Sequence, residues 1–384
     1  MDASDRQGAP ARRLAFIATE DWFFASHFLP MARAAVAIGL DVTVIVRVRA
    51  HRAAIEATGA KVIALEAERA SLNPMTAGYA AGQLAAILKA VKPDLVHCIA
   101  LRAILVGGTA ASMAGIPARV FAVTGLGLIG ARTDRVGKAS RLAIRALIRG
   151  PLATRKTRFL FENPHDALAL GLDPSDSTVT IVGGAGIDPD RYRPTPLPPH
   201  PPLRVALVAR MLWSKGIDIA VEAVRLARAR GAAVELSLYG DPDPDNRRSI
   251  PLATLQGWAR EGVVWHGSTT DVPAVYATHH VACLPSRGGE GLPRSLLEAA
   301  SCGRACVTTD VPGCRDLVRD GIEGLVVAPA DAPALAEALV RLAGDHALVA
   351  RMGEAARQRI ETGGFTEAAV ADATSRLWRD LLEH

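Results

Sequence analysis

The stretch "GIDPDRYRPTPLPPHPP" (residues 186–202) divides the sequence. Seven of its residues are proline: Pro189, Pro194, Pro196, Pro198, Pro199, Pro201 and Pro202. Proline fixes φ and lacks a backbone N–H, so this density excludes a helix or central strand and predicts a stiff, extended connector. At 384 residues the chain is also too long for one typical domain, and two are expected. The connector reads as the boundary between them.

The same alternation lies on either side. Before the connector, residues 14–19, 41–46, 61–65, 92–100, 118–125 and 157–163 form short apolar runs that read as strands, with helix patterns at 31–39, 52–60 and 76–91. Lys92-Pro93 closes the longest of those helices, because the residue before proline is driven out of the helical region. After it, strands are expected at 203–210, 234–240, 263–267, 281–286, 305–309 and 324–329. Helices fall at 216–231, 271–279, 293–302, 313–319 and 332–343. Strands alternating with helices predict a parallel sheet covered on both faces. The expectation is α/β: two doubly wound Rossmann-like domains, over 1–190 and 203–364, joined by the linker 191–202, with a terminal helix over 365–384 packing back on the first. Ligands of such sheets sit beyond the carboxyl ends of the strands, so two facing sheets would make a central cleft.

Composition is that of a globular protein, with 49 % hydrophobic and 22 % charged residues. The five cysteines include no C-x2-C pair, which points to reduced core thiols rather than a disulfide framework. Cys302, Cys306 and Cys314 cluster, but their spacing does not fit a zinc site. No apolar region follows Asp2, Asp5 and Arg6, so no signal peptide is expected. The uncharged run 103–118 is 16 residues and contains Gly107, Gly108, Gly115 and Pro117. That is too short and broken to span a bilayer.

The net charge of +5 is concentrated. Residues 132–158 hold nine basic side chains and one acid, Asp134, so the remainder of the chain is net negative. Lys138, Arg141, Arg145 and Arg149 recur at helical spacing on one face, with Leu142, Ile144, Leu147, Ile148 and Leu152 as apolar flanks. A basic amphipathic helix suits an anionic membrane surface; a solvated charged face is the plainer alternative. Nucleic acid is disfavoured, since no stacking aromatics lie nearby.

The second half also carries two glutamates eight positions apart in "SRGGEGLPRSLLEAASCG" (286–303): Glu290 among glycines and Glu298 inside an apolar helix pattern. With "VARMLWSKGID" (208–218), the segment 265–318 and "DGIEGLVV" (320–327), this resembles the GT-B-fold retaining glycosyltransferases of family 4 over roughly residues 204–345. In the first half, "TEDWFFASHFLPMARAA" (19–35) and "VTGLGLIGA" (123–131) look like family members that build bacterial lipid-linked or surface polysaccharides.

The resemblance implies a nucleotide-diphosphate sugar, UDP-linked by family habit, as donor, with no metal required. Arg210 and Lys215 would neutralise the departing diphosphate. Gly289, Gly291, Leu292 and Pro293 lead into a helix N-terminus that would cradle phosphate through backbone N–H groups. Pro293 suits that helix's first turn and Gly303 its stop. Glu290 would bind sugar hydroxyls and Glu298 the ribose; an Arg294–Glu298 pair at i,i+4 is the alternative for Glu298, in the weaker orientation. His266 and Gly267 would line the nucleobase region. "DPDPD" (241–245) reads as a loop rather than a metal motif. Trp22, His27, His97 and Thr124 are expected on the acceptor side. Core packing is the alternative for His97, and Thr124 stands where some family members have a histidine. The implied acceptor is a polyprenyl-diphosphate-linked saccharide, and the implied location is the inner face of the cell membrane. A nucleotide-sugar epimerase or hydrolase, using Glu20 and Asp21, and a non-catalytic nucleotide-binding subunit are the alternatives.

Overall fold

Runs that are apolar at nearly every position suit parallel strands buried on both faces, and the chain folds accordingly. In this computed structural model, residues 11–65, 74–132, 134–243, 246, 248–259 and 262–383 are described. β1 (Arg13–Glu20), β2 (Asp41–Arg47), β3 (Lys61–Ala64), β4 (Leu95–Ile99), β5 (Ala118–Val123), β6 (Thr157–Phe161) and β7 (Val179–Ile181) form one sheet. Its order is β3-β2-β1-β4-β5-β6-β7, parallel throughout. β8 (Leu203–Val208), β9 (Val234–Tyr239), β10 (Val263–Trp265), β11 (Val281–Leu284), β12 (Ala305–Thr309) and β13 (Gly324–Val327) form the second. Its order is β10-β9-β8-β11-β12-β13, again parallel. Each sheet reverses its winding once, between β1 and β4 and between β8 and β11. At such a switch point the outgoing loops diverge and leave a crevice beyond the strand ends.

The chain divides into two units. One comprises Met1–Thr124, Lys138–Ile181 and Val370–His384; the other comprises Gly125–Gly137 and Val182–Ala369. In the first, Phe16, Phe24, Phe121, Phe161 and Trp378 are fully buried around the central strands. In the second, Leu203, Val205 and Leu207 of β8 pack with Val234, Leu236 and Leu238 of β9 beneath the helices Ile217–Ala229 and Ala332–Gly344.

Several features were not anticipated. Between the strand expected at 14–19 and the helix pattern at 31–39, residues 21–27 form a helix of their own, Asp21–His27. β7 is only three residues long, and His346–Thr362 forms a long helix. The proline-rich segment is held rather than free. Arg304, 1 % exposed, donates to the carbonyls of Thr195 (2.7 Å) and Pro196 (3.2 Å), and His280 Nε2 lies 3.0 Å from the Pro198 carbonyl.

Candidate active site

The winding reversal of the six-stranded sheet brings two loops together. The first leaves β8 and passes through a 3-10 turn, Trp213–Lys215, into the helix Ile217–Ala229. The second leaves β11 and runs to the helix Arg294–Ser301. Their approach requires Gly216: its φ is +70°, and a Cβ there would lie 1.9 Å from the carbonyl oxygen of Pro285. Arg287 then ties the two. Its backbone N–H donates to the Ser214 carbonyl at 2.8 Å, and its guanidinium grips both carboxylate oxygens of Asp218 at 2.9 and 2.6 Å.

Held this way, Lys215 Nζ meets both oxygens of Glu290, at 2.8 and 2.9 Å. The lysine and glutamate side chains are 20 % and 12 % exposed, so the pair is shielded but reachable. Ser286, fully buried, donates its hydroxyl to Glu290 Oε1 at 2.7 Å. The glycine loop itself is tightly packed. At Gly289, with φ +80°, a Cβ would lie 2.2 Å from the Gly127 carbonyl oxygen, and the Gly127 N–H donates to the Gly289 carbonyl at 3.1 Å.

Gly291, Leu292 and Pro293 are buried at the end of this loop. Pro293 is the N-cap, with ψ 117°, and the helix begins at Arg294, one position later than the sequence suggested. Gly303, with φ +70°, follows the helix end as expected. Glu298 is 6 % exposed and accepts from Arg294 Nε at 2.9 Å and from the Tyr192 hydroxyl at 3.1 Å. Burial raises its pKa, opposed by the Arg294 charge and both hydrogen bonds. The Arg294–Glu298 pair, disfavoured by its orientation on an isolated helix, therefore forms: burial weakens solvent competition, and Tyr192 supplies a second donor.

The two cations expected to act together are held by different carboxylates. Arg210 Nη1 lies 2.7 Å from Asp243 Oδ2, whereas Lys215 belongs to Glu290. Asp241 Oδ1 accepts from the Ser268 N–H at 3.1 Å; Asp245, the last residue of "DPDPD", lies outside the described residues. Among the described residues no group of three or more His, Cys, Asp or Glu side chains is arranged to hold a metal ion. His266 is exposed and stacks flat on Tyr239, with centroids 4.6 Å apart and planes 7° apart. The Gly267 carbonyl accepts from Gly240 N–H at 2.7 Å. This places His266 and Gly267 beyond β10 and beside the end of β9.

In the seven-stranded unit, Trp22 and His27 are half-buried in the helix that follows β1, and Thr124 is half-buried at the end of β5. His97 is different. It sits in the middle of β4 with no exposed surface, between Phe16 (5.1 Å) and Trp378 (5.9 Å), as a core residue rather than at the strand's end. Asp21 is buried too, and its Oδ2 accepts from the N–H groups of Arg49, Ala50 and His51 at 2.7–2.9 Å. Burial works against its charge, but these bonds outweigh it and lower its pKa. Glu20 lies 3.4 Å from Arg47. Both carboxylates that an epimerase would require are thus engaged in holding β1 and the turn after β2.

The basic helix forms over Arg135–Arg149. Lys138, Arg145 and Arg149 are exposed and Arg141 is half-buried. Ile144 and Ile148 face the core, whereas Val136, Leu142 and Leu147 are 56 %, 65 % and 41 % exposed. Among the described residues no helix is long and apolar enough to cross a membrane.

Ser286, Tyr192 and Asp243 were not anticipated from the sequence. Each acts on a partner 4 to 106 positions away, and only the fold makes those neighbours.

Comparison with known proteins follows both sheets. Residues 13–163 match the family described as glycosyl transferase 4-like, and residues 202–345 match the glycosyl transferases group 1. The chain is 28 % identical over 349 residues to the N,N'-diacetylbacillosaminyl-diphospho-undecaprenol alpha-1,3-N-acetylgalactosaminyltransferase of Campylobacter jejuni. That match covers 86 % of this chain and 90 % of that protein. It is 28 % identical over 206 residues to the amylovoran biosynthesis glycosyltransferase AmsK of Erwinia amylovora, covering 52 % of this chain and 49 % of that one. The crystal structure of Anabaena HepE in complex with UDP and glucose superposes with a TM-score of 0.74, over 96 % of this chain and 100 % of that one, at 15 % identity. With a 4-like domain on the seven-stranded sheet and a group 1 domain on the six-stranded sheet, the chain belongs to the glycosyltransferases of the GT-B fold.

Proposed function

We propose that this glycosyltransferase is a retaining enzyme that takes a sugar from a UDP-sugar and passes it to a saccharide carried on a polyprenyl diphosphate, in the assembly of a bacterial surface polysaccharide. The observation that carries the reading is the shielded Lys215–Glu290 pair at the switch point of the six-stranded sheet. A carboxylate fixed by a lysine there accepts hydrogen bonds from sugar hydroxyls, while the cation lies beside the place where charge develops on a departing diphosphate. Arg210 supplies a second cation from the loop after β8. Glu298, buried with Tyr192 and Arg294, is the carboxylate for the ribose.

In the proposed step the bond between the anomeric carbon and the phosphate oxygen breaks, and the acceptor hydroxyl oxygen bonds that carbon on the same face. The acceptor proton passes to the departing phosphate oxygen. No protein nucleophile is needed. Trp22, His27 and Thr124 belong to the acceptor side of this reading. UDP as the nucleotide is supported by the HepE complex. A lipid-linked acceptor is supported by the name of the Campylobacter relative. A polysaccharide product is supported by the Erwinia relative. The exposed cations and leucines of the basic helix fit docking on the inner face of the cell membrane.

The test is turnover. A panel of UDP-sugars with a polyprenyl-diphosphate-linked saccharide should give UDP release and a longer lipid-linked product. Glu290→Gln should abolish both while leaving the protein folded. UDP release without acceptor, or wild-type turnover by Glu290→Gln, would contradict the proposal.

A further inference from the structure

The environment of Glu290 is asymmetric. Lys215 Nζ reaches both carboxylate oxygens almost equally, at 2.8 and 2.9 Å. Ser286 reaches only one: its Oγ lies 2.7 Å from Oε1. Among the described residues the Ser214 carbonyl is the other acceptor within range of this hydroxyl, at 3.4 Å. A charged acceptor at the shorter distance takes the single proton. Among the described residues Oε1 thus accepts from both lysine and serine, whereas Oε2 accepts from the lysine alone. A carboxylate offers about four lone-pair directions, so the capacity left for a new donor lies mostly on Oε2.

Ser286 is itself immobilised. It is fully buried at the end of β11; its carbonyl accepts from Thr309 Oγ1 at 2.5 Å, and the Gly288 N–H reaches its Oγ at 3.3 Å. β12 thereby braces the residue that orients the glutamate. Lysine is a compact cation on a flexible stem and does not fix the plane of a carboxylate by itself. The serine hydroxyl removes that remaining rotation.

We infer that Ser286 is the positioning residue of this site: it occupies Oε1 of Glu290 and presents Oε2 to a hydroxyl of the donor sugar. The inference rests on the reading of Glu290 as the sugar-binding carboxylate. Ser286 acts through Glu290, so its effect falls on the sugar-dependent part of catalysis. Free UDP, which carries no sugar, is indifferent to it.

The experiment compares Ser286→Ala, Ser286→Thr and Glu290→Gln in the full chain, reading kcat, KM for the UDP-sugar, and inhibition by UDP. Ser286→Ala should lower kcat by about 10- to 100-fold, the scale of one lost charge-assisted hydrogen bond. Its UDP inhibition constant should stay unchanged, and Ser286→Thr, which keeps the hydroxyl, should recover most of the rate. If Glu290→Gln abolishes turnover but Ser286→Ala leaves kcat intact, the inference falls while the reading of Glu290 stands. If Ser286→Ala weakens UDP inhibition in parallel with kcat and threonine recovers neither, the residue is merely structural and the inference is overturned. If Glu290→Gln turns over normally, the underlying reading fails instead.

Discussion

The indole Nε1 of Trp378 donates to Nδ1 of His97 at 3.2 Å, joining the last helix to the middle of β4. The bond leaves the ring proton on Nε2, which is buried and has no hydrogen-bond partner among the described residues. Burial pushes the His97 pKa down to about 3. The unfolded chain therefore takes up a proton near pH 6.5 that the folded chain refuses until about pH 3. Stability from this group is complete above pH 6.5 and is lost as pH falls through that window, by about 1.4 kcal/mol per pH unit. His280, pushed down to about 4 chiefly by burial, adds to the slope in the other unit. His97→Asn keeps an acceptor for Trp378 and removes the titration. Denaturant unfolding between pH 7 and 5 should then show a flatter pH dependence by about one proton; an unchanged slope would refute the assignment.

Arg304 makes a second prediction. Beyond its bonds to the proline-rich segment, it donates to the Tyr276 carbonyl at 2.7 Å and to Thr195 Oγ1 at 2.5 Å. No carboxylate balances it within these bonds; its partners are carbonyls and a hydroxyl. Arg304→Met would fill much of the volume but strand several buried acceptors, at a cost of about 3 kcal/mol or more. The melting temperature should drop by about 6 °C or more. Limited proteolysis should begin within residues 191–202, and a variant resisting cleavage there would show that Arg304 does not hold the segment.

Gly216→Ala tests how closely the two active-site loops must approach. The αL conformation costs an L-residue about 1–2 kcal/mol, and the added carbon would collide with the Pro285 carbonyl. The turn carrying Lys215 must then move away from the loop carrying Glu290. A shift of this kind costs about 100-fold in rate where geometry is critical, so kcat should collapse while the circular dichroism spectrum remains that of a folded protein. Retained activity would show that the Lys215–Glu290 distance is not critical.

The sheets were legible because their signal is local. Twelve of the thirteen strands among the described residues stand on apolar runs bounded by turn residues. β7 was missed because Val179–Ile181 is too short to show a pattern. "DWFFASH" (21–27) lacks a helical stripe of apolar residues and carries no helix signal in the sequence; it folds as a helix because Phe24 packs on Phe16 at 5.5 Å. The two glutamates were visible as a spacing, but their partners were not. Tyr192 comes from a stretch read only for its prolines, and Ser286 looks like any loop serine until β11 places it. Arg210 was legible as a cation, yet its pairing with Asp243 depends on the loop after β9 folding back.

The basic helix yields the last prediction. Val136, Leu142 and Leu147 are its exposed large apolar side chains, and they share Arg135–Arg149 with Lys138, Arg141, Arg145 and Arg149. Each cation near an anionic bilayer contributes about 1 kcal/mol, screened within a Debye length. Lys138→Gln, Arg141→Gln and Arg145→Gln together should weaken partitioning onto phosphatidylglycerol vesicles by at least about tenfold at low salt. Leu142→Ser with Leu147→Ser should instead weaken the binding that survives at high salt, because apolar insertion is not screened. Turnover with a short, water-soluble acceptor should be unchanged in both variants. Equal partitioning of wild type and the triple variant at low ionic strength would leave the helix as a solvated charged face and place membrane contact elsewhere.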